Sequence, residues 1–329
     1  MTLLGGIAIG GTNSILTLAN SDPTPAIIFR ETIPTEGAAS VLLPTLAARL
    51  RTVSSEIGSR LTSVGVTCGG PLDEVAGLVL SPPNLPGWDC VPLVSLVSNE
   101  VGVPTRLMND ANAGALAEWV WGAGRGASTL VFLTMGTGIG AGLILSGRLH
   151  RGASGMAGEL GHWRLRDHGP VGYAKAGSVE GFCSGGGIAQ WAHLRRVELL
   201  GDSHSPSSGT LRYSALDLAV MADKGDPFAT QLWSDVGDAL GATLALVIDF
   251  LNPDAIVIGG IFPRQEFRLR PSMERTLHRE ALPENLECCT IRGSELGERI
   301  SDYSALAVAM VGQQLHDVAA QLTNAVEGQ

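Results

Sequence analysis

Two stretches of this chain share one pattern, an apolar run followed by a cluster of Gly and Thr and then a second apolar run. They are residues 5–18, GGIAIGGTNSILTL, and residues 131–145, VFLTMGTGIGAGLIL. This pattern predicts a strand, a tight turn and a returning strand. Glycine at the turn lets backbone N–H groups approach an anion without an intervening Cβ. A single glycine hairpin is common, but its duplication favours two α/β halves whose turns can grip a polyphosphate.

The length and charge of the chain limit the classes to which it can belong. Its 329 residues suffice for roughly two domains with a large buried core. Lys and Arg number 22 against 32 Asp and Glu, which gives a formal net charge of −10, and the densest basic cluster is residues 264–275. We therefore expect neither nucleic acid nor an anionic membrane as a partner.

No targeting or membrane segment is predicted. The first residues place no basic segment ahead of the apolar run and no small-residue cleavage site after it, which predicts a cytoplasmic protein. The apolar stretch 239–251 contains Asp249 and is too short to span a bilayer, so it predicts a buried helix. The five cysteines lack C-x-x-C spacing, so we expect reduced thiols rather than disulfides.

Apolar periodicity and turn residues predict a mixed α/β order with a strand-rich opening that is repeated at mid-chain. Besides the second hairpin, the predicted strands are residues 7–9, 15–18, 27–33, 64–68, 105–108, 255–258 and a strand around 288–291. The predicted helices are residues 40–57, 111–121, 179–200, 214–223, 227–251, one between 260 and 288, and a closing helix from 303 to about 322. The predicted loops are residues 81–89, 147–177 and 201–209.

A carboxylate stands where a predicted strand meets a predicted helix, at Asn109-Asp110. Between two hairpins that hold phosphates, such a carboxylate suits phosphoryl transfer, because it can orient an attacking hydroxyl and accept its proton. The alternative is that Asp110 only caps the following helix, which is a common role for aspartate. The residues alone leave both interpretations open.

The central block GTGIGAGLILSGRLHRGASGMAGELGH, residues 136–162, resembles the ROK family of bacterial sugar kinases and related repressors. The resemblance extends to IGGTN at 9–13, PNLPGW at 83–88, NDANAGALAE at 109–118 and NPDAIVIGG at 252–260. It implies an α/β, two-domain actin-like (RNase H-like) ATPase fold with an interdomain active-site cleft. We expect a smaller domain of residues 1–112 plus 304–329 and a larger domain of residues 113–303.

The resemblance also implies roles for individual residues. Asp110 is the implied base. The implied sugar-binding residues are Asn84, Asn109, Glu159, His162 and Glu180. The implied nucleotide-binding residues are Gly10, Gly11, Thr12, Asn13, Thr137, Gly138, Gly259 and Gly260. Amides, carboxylates and imidazole can satisfy the donors and acceptors of a sugar. The implied cofactors are ATP and Mg²⁺, the implied partner is a small-molecule sugar, and a homodimer follows by family analogy.

Several of these residues also have plain structural interpretations. Glu159 and His162 can form a surface pair or part of a metal site. Glu180 lies at a predicted helix start, where its charge favours the helix dipole without any ligand. Asn84 lies in a Pro-rich turn that its side chain can stabilise.

The chain departs from the family at the segment that follows His162. Most members carry the cysteine cluster C-x-C-G-x-x-G-C-x-E there, which holds a structural zinc together with that histidine. In this chain Val171, Tyr173 and Ser178 occupy the cysteine positions. Since these side chains cannot form a tetrahedral thiolate site, we expect no structural zinc, with Val171 and Tyr173 packing in its place.

A second departure is Ala8, where the family usually has an acid that helps to position magnesium. Magnesium can still be held by phosphates and waters. The first hypothesis is an ATP-dependent kinase of the 6-hydroxyl of a hexose, with glucose the leading candidate, or of an N-acetylhexosamine. The alternative is a sugar-binding pseudokinase with little catalytic activity. A repressor is disfavoured, because family repressors carry an N-terminal helix-turn-helix and this hairpin begins at Gly5.

Overall fold

The computed structural model describes residues 2–200 and 213–311, which form two compact units. The first unit comprises residues up to 127, 142–157 and the chain from 295 onward. The second comprises 128–141 and 158–294. The predicted loop at 201–209 and the predicted end of the closing helix, beyond residue 311, lie outside the described residues.

Strands and helices alternate along most of the chain, as the sequence predicts. The strands are β1 (Thr2–Ile9), β2 (Asn13–Asn20), β3 (Ile27–Pro34), β4 (Arg60–Cys68), β5 (Leu72–Asp73), β6 (Leu78–Val79), β7 (Thr105–Asn109), β8 (Leu130–Met135), β9 (Ile139–Leu145), β10 (Arg148–His150), β11 (Val171–Gly172), β12 (Lys175–Ala176), β13 (Ala255–Gly260) and β14 (Thr290–Gly293). The helices are α1 (Ala39–Glu56), α2 (Leu93–Val101), α3 (Asp110–Trp121), α4 (Val179–Cys183), α5 (Gly185–Leu200), α6 (Ala215–Asp223), α7 (Pro227–Leu251), α8 (Phe262–Glu280), α9 (Pro283–Glu287) and α10 (Ile300–Met310). Leu160–His162 and Gly297–Arg299 are single 3-10 turns. The mixed α/β class is confirmed.

Two five-stranded sheets have the same strand order. The first runs β3-β2-β1-β4-β7 and the second β10-β9-β8-β13-β14. In each sheet the first strand, β1 or β8, is central. The next two strands along the chain lie on one side of it, and two strands parallel to it lie on the other side. The internal duplication predicted from the two glycine hairpins is therefore present as two sheets of equal topology.

Helix α10 closes the first sheet by direct contact with two glycines. A Cβ at Gly65, in β4, would lie 2.0 Å from the Ala305 carbonyl oxygen, and a Cβ at Gly6, in β1, would lie 2.9 Å from the Ala305 Cβ. The fully buried carboxylate of Asp302 accepts hydrogen bonds from Thr17 Oγ1 at 2.7 Å and Arg30 Nε at 3.0 Å. The end of the described chain thus belongs to the core of the first unit, and the predicted domain boundaries at 112 and 304 fall inside α3 and α10.

Helix α7 confirms the buried helix predicted from the apolar stretch 239–251. Leu240, Leu244 and Ile248 are fully buried and recur at helical spacing on its inner face. Leu246 and Phe250, on the outer face, are largely exposed. Among the described helices, none combines the length and the apolarity needed to cross a membrane.

The sequence predicts one helix over residues 179–200, and this is wrong, because the segment is broken at Ser184. The Ser184 Oγ accepts a hydrogen bond from the Gly187 N–H at 3.0 Å, so it starts a new helix instead of continuing the first. Helix α2 and the small hairpin β5–β6 lie in segments to which the sequence interpretation assigns no element. The predicted loop at 147–177 is wrong in part, because it contains strand β10 and the hairpin β11–β12.

Candidate functional site

Three parallel strands bring predicted site residues of the first unit to one sheet edge. Ile9 pairs with Cys68, and Cys68 pairs with Asn109, so β1, β4 and β7 end side by side. The turn after β1 and the Asn109-Asp110 junction after β7 consequently share the carboxyl edge of the sheet, where ligands of open α/β sheets bind.

The first glycine turn, residues 10–13, is closed by a hydrogen bond from the Gly10 N–H to the Asn13 carbonyl at 3.0 Å. Its outer residues Gly11, Thr12 and Asn13 are exposed. A Cβ at Gly11 would lie 2.8 Å from the Asn84 carbonyl oxygen, so only glycine allows the Pro-rich loop to approach the turn. The Asn84 side chain lies beside Gly69, just after β4. The predicted residues 10–13 and Asn84 therefore lie together.

The structure separates the roles of Asn109 and Asp110. Asn109 caps α3, because its side-chain oxygen accepts hydrogen bonds from the Ala111 and Asn112 N–H groups at 3.0 and 3.3 Å. The interpretation of Asp110 as the cap is therefore wrong. Asp110 begins the helix itself, and its Oδ1 accepts from the Ala111 N–H at 2.8 Å. The cap uses only the side-chain oxygen of Asn109, so the two N–H groups of its side-chain amide remain available to other partners.

The electrostatic surroundings of Asp110 favour the protonated form. Nearby protein groups displace much of the water around the carboxyl, which raises its pKa above the ordinary value, and the hydrogen bond from Ala111 acts against this rise. The residue is nevertheless exposed, so a hydroxyl can reach it. Desolvation by burial raises the pKa of Cys68 to about 12, and the negative charge of Asp110 contributes to the rise. Cys68 is therefore a neutral thiol at neutral pH.

Glu74 supports the same junction and was missed by the sequence interpretation. Its Oε1 accepts a hydrogen bond from the Asn109 N–H at 2.9 Å, and Arg151 Nε lies 3.0 Å from its Oε2. Glu74 lies in the turn of the short hairpin β5–β6, where nothing in the local sequence indicates a distant partner. Its carboxylate fixes the main chain that carries Asp110.

In the second unit, the second glycine turn contacts Glu180. The turn is closed by a hydrogen bond from the Gly136 N–H to the Gly138 carbonyl at 2.9 Å, and Thr137 at its tip is exposed. Glu180 Oε2 accepts from the Ile139 N–H at 3.3 Å and lies 2.8 Å from the position that a Cβ on Gly138 would take. Glu180 thus lies against the turn that the resemblance assigns to phosphates.

Gly259 and Gly260 lie at the same edge of the second sheet as that turn. They pair with Thr134 and Met135, the last residues before it. Gly260 has a φ of +74°, and a Cβ there would lie 2.1 Å from the Met135 carbonyl oxygen, so only glycine fits. The predicted nucleotide-binding residues of the second unit, Thr137, Gly138, Gly259 and Gly260, are therefore neighbours.

Glu159 and His162 flank the 3-10 turn that packs on β9. The Ala141 N–H donates to the Gly158 carbonyl at 2.9 Å, and a Cβ at Gly161 would lie 2.3 Å from the Ile139 carbonyl oxygen. Glu159 is exposed and His162 is half-buried. Since the Ile139 N–H also donates to Glu180, the main chain that carries Glu159 and His162 and the carboxylate of Glu180 both lie at the start of β9.

Three other structural roles are taken by the residues at the family's cysteine positions. Val171 begins the hairpin β11–β12. The Gln190 side-chain amide accepts a hydrogen bond from the Val171 N–H and donates one to the Val171 carbonyl oxygen. The ring of Tyr173 contacts the ring of His162, and Ser178 caps α4 by accepting from the Gly181 N–H at 3.1 Å. The expectation that Val171 and Tyr173 pack in place of the metal is wrong, because the two residues are 44% and 62% exposed.

We expect protein purified without chelator to contain no stoichiometric zinc. The side chains of Val171, Tyr173 and Ser178 supply no thiolate, and zinc sites need several strong donors. Elemental analysis by mass spectrometry measures this directly, with a ROK relative that retains the cysteines as the positive control. One zinc per chain would contradict the prediction.

Known proteins resemble this chain over almost its whole length. A sequence model described as the ROK family matches residues 4–309. The chain is 30% identical over 305 residues to glucokinase from Halalkalibacterium halodurans, covering 89% of this chain and 90% of that protein. It is 33% identical over 261 residues to N-acetylmannosamine kinase from Salmonella typhi, covering 79% of this chain and 83% of that protein.

The fold resembles a solved structure of the same group. A ROK family glucokinase from Streptomyces griseus, in complex with glucose and AMPPNP, matches with a TM-score of 0.75 and 27% identity, covering 95% of this chain and 99% of that one. The actin-like α/β fold implied by the sequence resemblance is thereby confirmed. By both sequence and structure, the chain belongs to the ROK family.

Proposed function

We propose that this protein is an ATP-dependent kinase. It phosphorylates the 6-hydroxyl of a hexose, with glucose the leading candidate, or of an N-acetylhexosamine. The observation that carries the proposal is the division of roles at the end of β7. Asn109 caps α3, which leaves Asp110 as an exposed carboxylate with a raised pKa. The relatives named glucokinase and N-acetylmannosamine kinase support a hexose or a hexosamine as the acceptor.

Asp110 acts as the general base in this proposal. As the sugar oxygen forms its bond to the γ-phosphorus, the bond between that phosphorus and the leaving oxygen of ADP breaks. The hydroxyl proton moves to Asp110 and then to solvent. A raised pKa makes a carboxylate a stronger base than an ordinary aspartate, which favours this transfer. The hydrogen bonds of Asn109 and Glu74 to the adjoining main chain hold the base in place.

The remaining predicted residues take binding roles. We assign sugar hydroxyls to Asn84, Asn109, Glu159, His162 and Glu180, with Asn109 acting through the amide N–H groups that its helix cap does not use. We assign the nucleotide to Gly10, Gly11, Thr12, Asn13, Thr137, Gly138, Gly259 and Gly260. The exposed residues of both glycine turns support this assignment, because accessible amides and hydroxyls without bulky side chains suit phosphate oxygens.

Magnesium would be held without the usual acid of the first hairpin. Ala8 is buried between Ile15 and Thr67 in the sheet and offers no ligand. Among the side chains that the structure describes, no group of three or more His, Cys, Asp or Glu is placed to hold a metal. We therefore assign the ligands to ATP phosphates and water, an arrangement that suits Mg²⁺. The bound ion would neutralise charge on the transferred phosphate.

The proposal is tested by ADP release over a panel of sugars. Glucose, mannose, N-acetylglucosamine and N-acetylmannosamine are each mixed with Mg-ATP, and a reaction without sugar corrects for ATP hydrolysis. We expect sugar-dependent ADP release with at least one member, and a 6-phosphate as the product by NMR. Phosphorylation at another hydroxyl would contradict the assignment.

Ala8 favours the second candidate, a sugar-binding pseudokinase. If the protein is a pseudokinase, calorimetry detects sugar binding, but no sugar of the panel raises ADP release above that of the sugar-free control. In an active kinase, by contrast, we expect the absence of the acid to appear as a high magnesium requirement. The implied homodimer stays a prediction that light scattering tests.

A further inference from the structure

The turn of hairpin β11–β12 places a bulky residue, Tyr173, where the backbone conformation favours Asn or Gly. Its two central residues, Tyr173 and Ala174, both have left-handed backbones, with φ of 44° and 63°. Two-residue hairpins with this geometry prefer Asn-Gly, because a Cβ is strained in the left-handed region. A bulky residue there is an outlier that points to another role for its side chain.

The Tyr173 side chain contributes little to the core. It is 62% exposed, so burial does not explain its presence. Its ring contacts the His162 ring edge-on, with centroids 4.9 Å apart and planes at 69°. This is one of the favoured geometries of an aromatic pair. The strained residue therefore touches one of the candidate sugar-binding side chains.

The same hairpin holds the main chain of His162. Lys175, on the returning strand, donates from Nζ to the His162 carbonyl oxygen at 2.6 Å. The two residues thus contact His162 from both its ring and its backbone. This hydrogen bond ties strand β12 to the 3-10 turn that ends at His162.

The hairpin is itself fixed to the helices that follow it. The Gln190 amide, in α5, bonds the N–H and the carbonyl of Val171. A Cβ at Gly172 would lie 2.7 Å from the Glu180 Cβ and 2.7 Å from the Gly181 nitrogen, so the hairpin packs directly on α4. A movement of the hairpin main chain relative to α4 would therefore disturb these contacts.

We propose that Tyr173 is a positioning residue that orients the His162 imidazole toward a sugar hydroxyl, with the β11–β12 hairpin linking His162 to Glu180. The proposal rests on the kinase function proposed above. A histidine whose ring is held in one orientation loses less freedom when it binds a hydroxyl, so sugar affinity rises. Tyr173 thereby sets sugar KM rather than the rate of phosphoryl transfer.

Three variants of the full-length protein test this role. Tyr173→Asn removes the ring while keeping a residue that accepts the left-handed turn, so we expect an unchanged or higher Tm. Sugar KM should rise about two- to tenfold, the worth of an aromatic pair expressed as an equilibrium ratio, with kcat and ATP KM unchanged. Tyr173→Phe keeps the ring and should keep KM. Ala174→Gly relaxes the same turn and should also keep KM, which separates strain from the ring contact.

The histidine ring signals in a ¹H–¹³C NMR spectrum test the contact without turnover. The His162 signal is identified by its loss in His162→Gln, and we expect it to move in Tyr173→Asn but not in Ala174→Gly. An unmoved signal, or an unchanged sugar KM in an active Tyr173→Asn enzyme, overturns the proposal. If no sugar is phosphorylated by the wild type, the kinase function fails. In that case sugar affinity is measured by calorimetry for the wild type and for Tyr173→Asn. Equal affinities, or no sugar binding by either protein, overturn the positioning role.

Discussion

Replacing Asp110 by asparagine is expected to lower kcat about 10²- to 10⁴-fold, the usual worth of a general base. Asparagine has nearly the same shape, and its side-chain oxygen can still accept the hydrogen bond from the Ala111 N–H. The Asn109 cap and the Glu74 contact do not involve the Asp110 side chain, so α3 should begin as before. What the variant loses is the capacity to take the proton of the sugar hydroxyl.

The measurement is a steady-state assay with the sugar that gives most ADP release. Asp22→Asn is the matched control, because it makes the same chemical change at an exposed aspartate in the turn between β2 and β3. We expect the control to retain wild-type kcat. If Asp110→Asn retains it as well, Asp110 is not the base and the proposed mechanism fails.

Asp110→Asn should also stabilise the protein at neutral pH. The pKa of this carboxyl is raised in the folded state, so ionisation destabilises the fold relative to the unfolded chain. The gain from asparagine is present above the folded pKa. It shrinks as pH falls through that value, and it is lost below the pKa of the unfolded chain. Thermal unfolding over a pH series from 8 down to 4 checks this, and a gain that grew toward acid pH would contradict it.

A lower kcat together with a higher Tm would show that Asp110 is retained for function at a cost in stability. Misfolding cannot produce this combination, since a misfolded variant loses activity and stability together. The kinetic and thermal measurements on the same preparation therefore distinguish loss of the base from loss of the fold.

Gly65→Ala is expected to destabilise the first unit by more than about 3 kcal/mol, because the added methyl overlaps backbone rather than movable side chains. The Cβ would lie 2.0 Å from the Ala305 carbonyl oxygen and 2.4 Å from the Ala309 nitrogen, both in α10. Accommodation requires α10 to move away from β1 and β4. That movement would disturb the buried Asp302 and its bonds to Thr17 and Arg30.

Urea unfolding and the yield of soluble protein measure this effect. Gly293→Ala is the matched control, since Gly293 is also a strand glycine, in β14, but its added Cβ meets side-chain atoms at ordinary distances of 3.4 Å and beyond. We expect the control to change stability by less than about 1 kcal/mol. Equal stability of the two variants would mean that α10 does not pack on Gly65 as described.

Much of the fold is predictable from local sequence patterns. The two glycine hairpins and the buried strands after them indicate two related sheets, and both have the same strand order. Strand and helix periods are local properties, so α1, α6 and α7 begin and end close to the predicted residues. The break at Ser184 and helix α2 were missed, because short elements carry too few periodic residues to distinguish them from loops.

The residues that can carry chemistry were also named from the sequence, through the glycine turns and the resemblance to the ROK family. What the sequence left open was which neighbouring residue does which task. Asn109 rather than Asp110 caps α3, and this depends on backbone geometry at one junction. Glu74 reaches the Asn109 N–H across 35 residues, and α10 rests on Gly65 across more than 200. The tertiary structure decides such contacts, because they join groups whose distance is set by packing and not by their spacing along the chain.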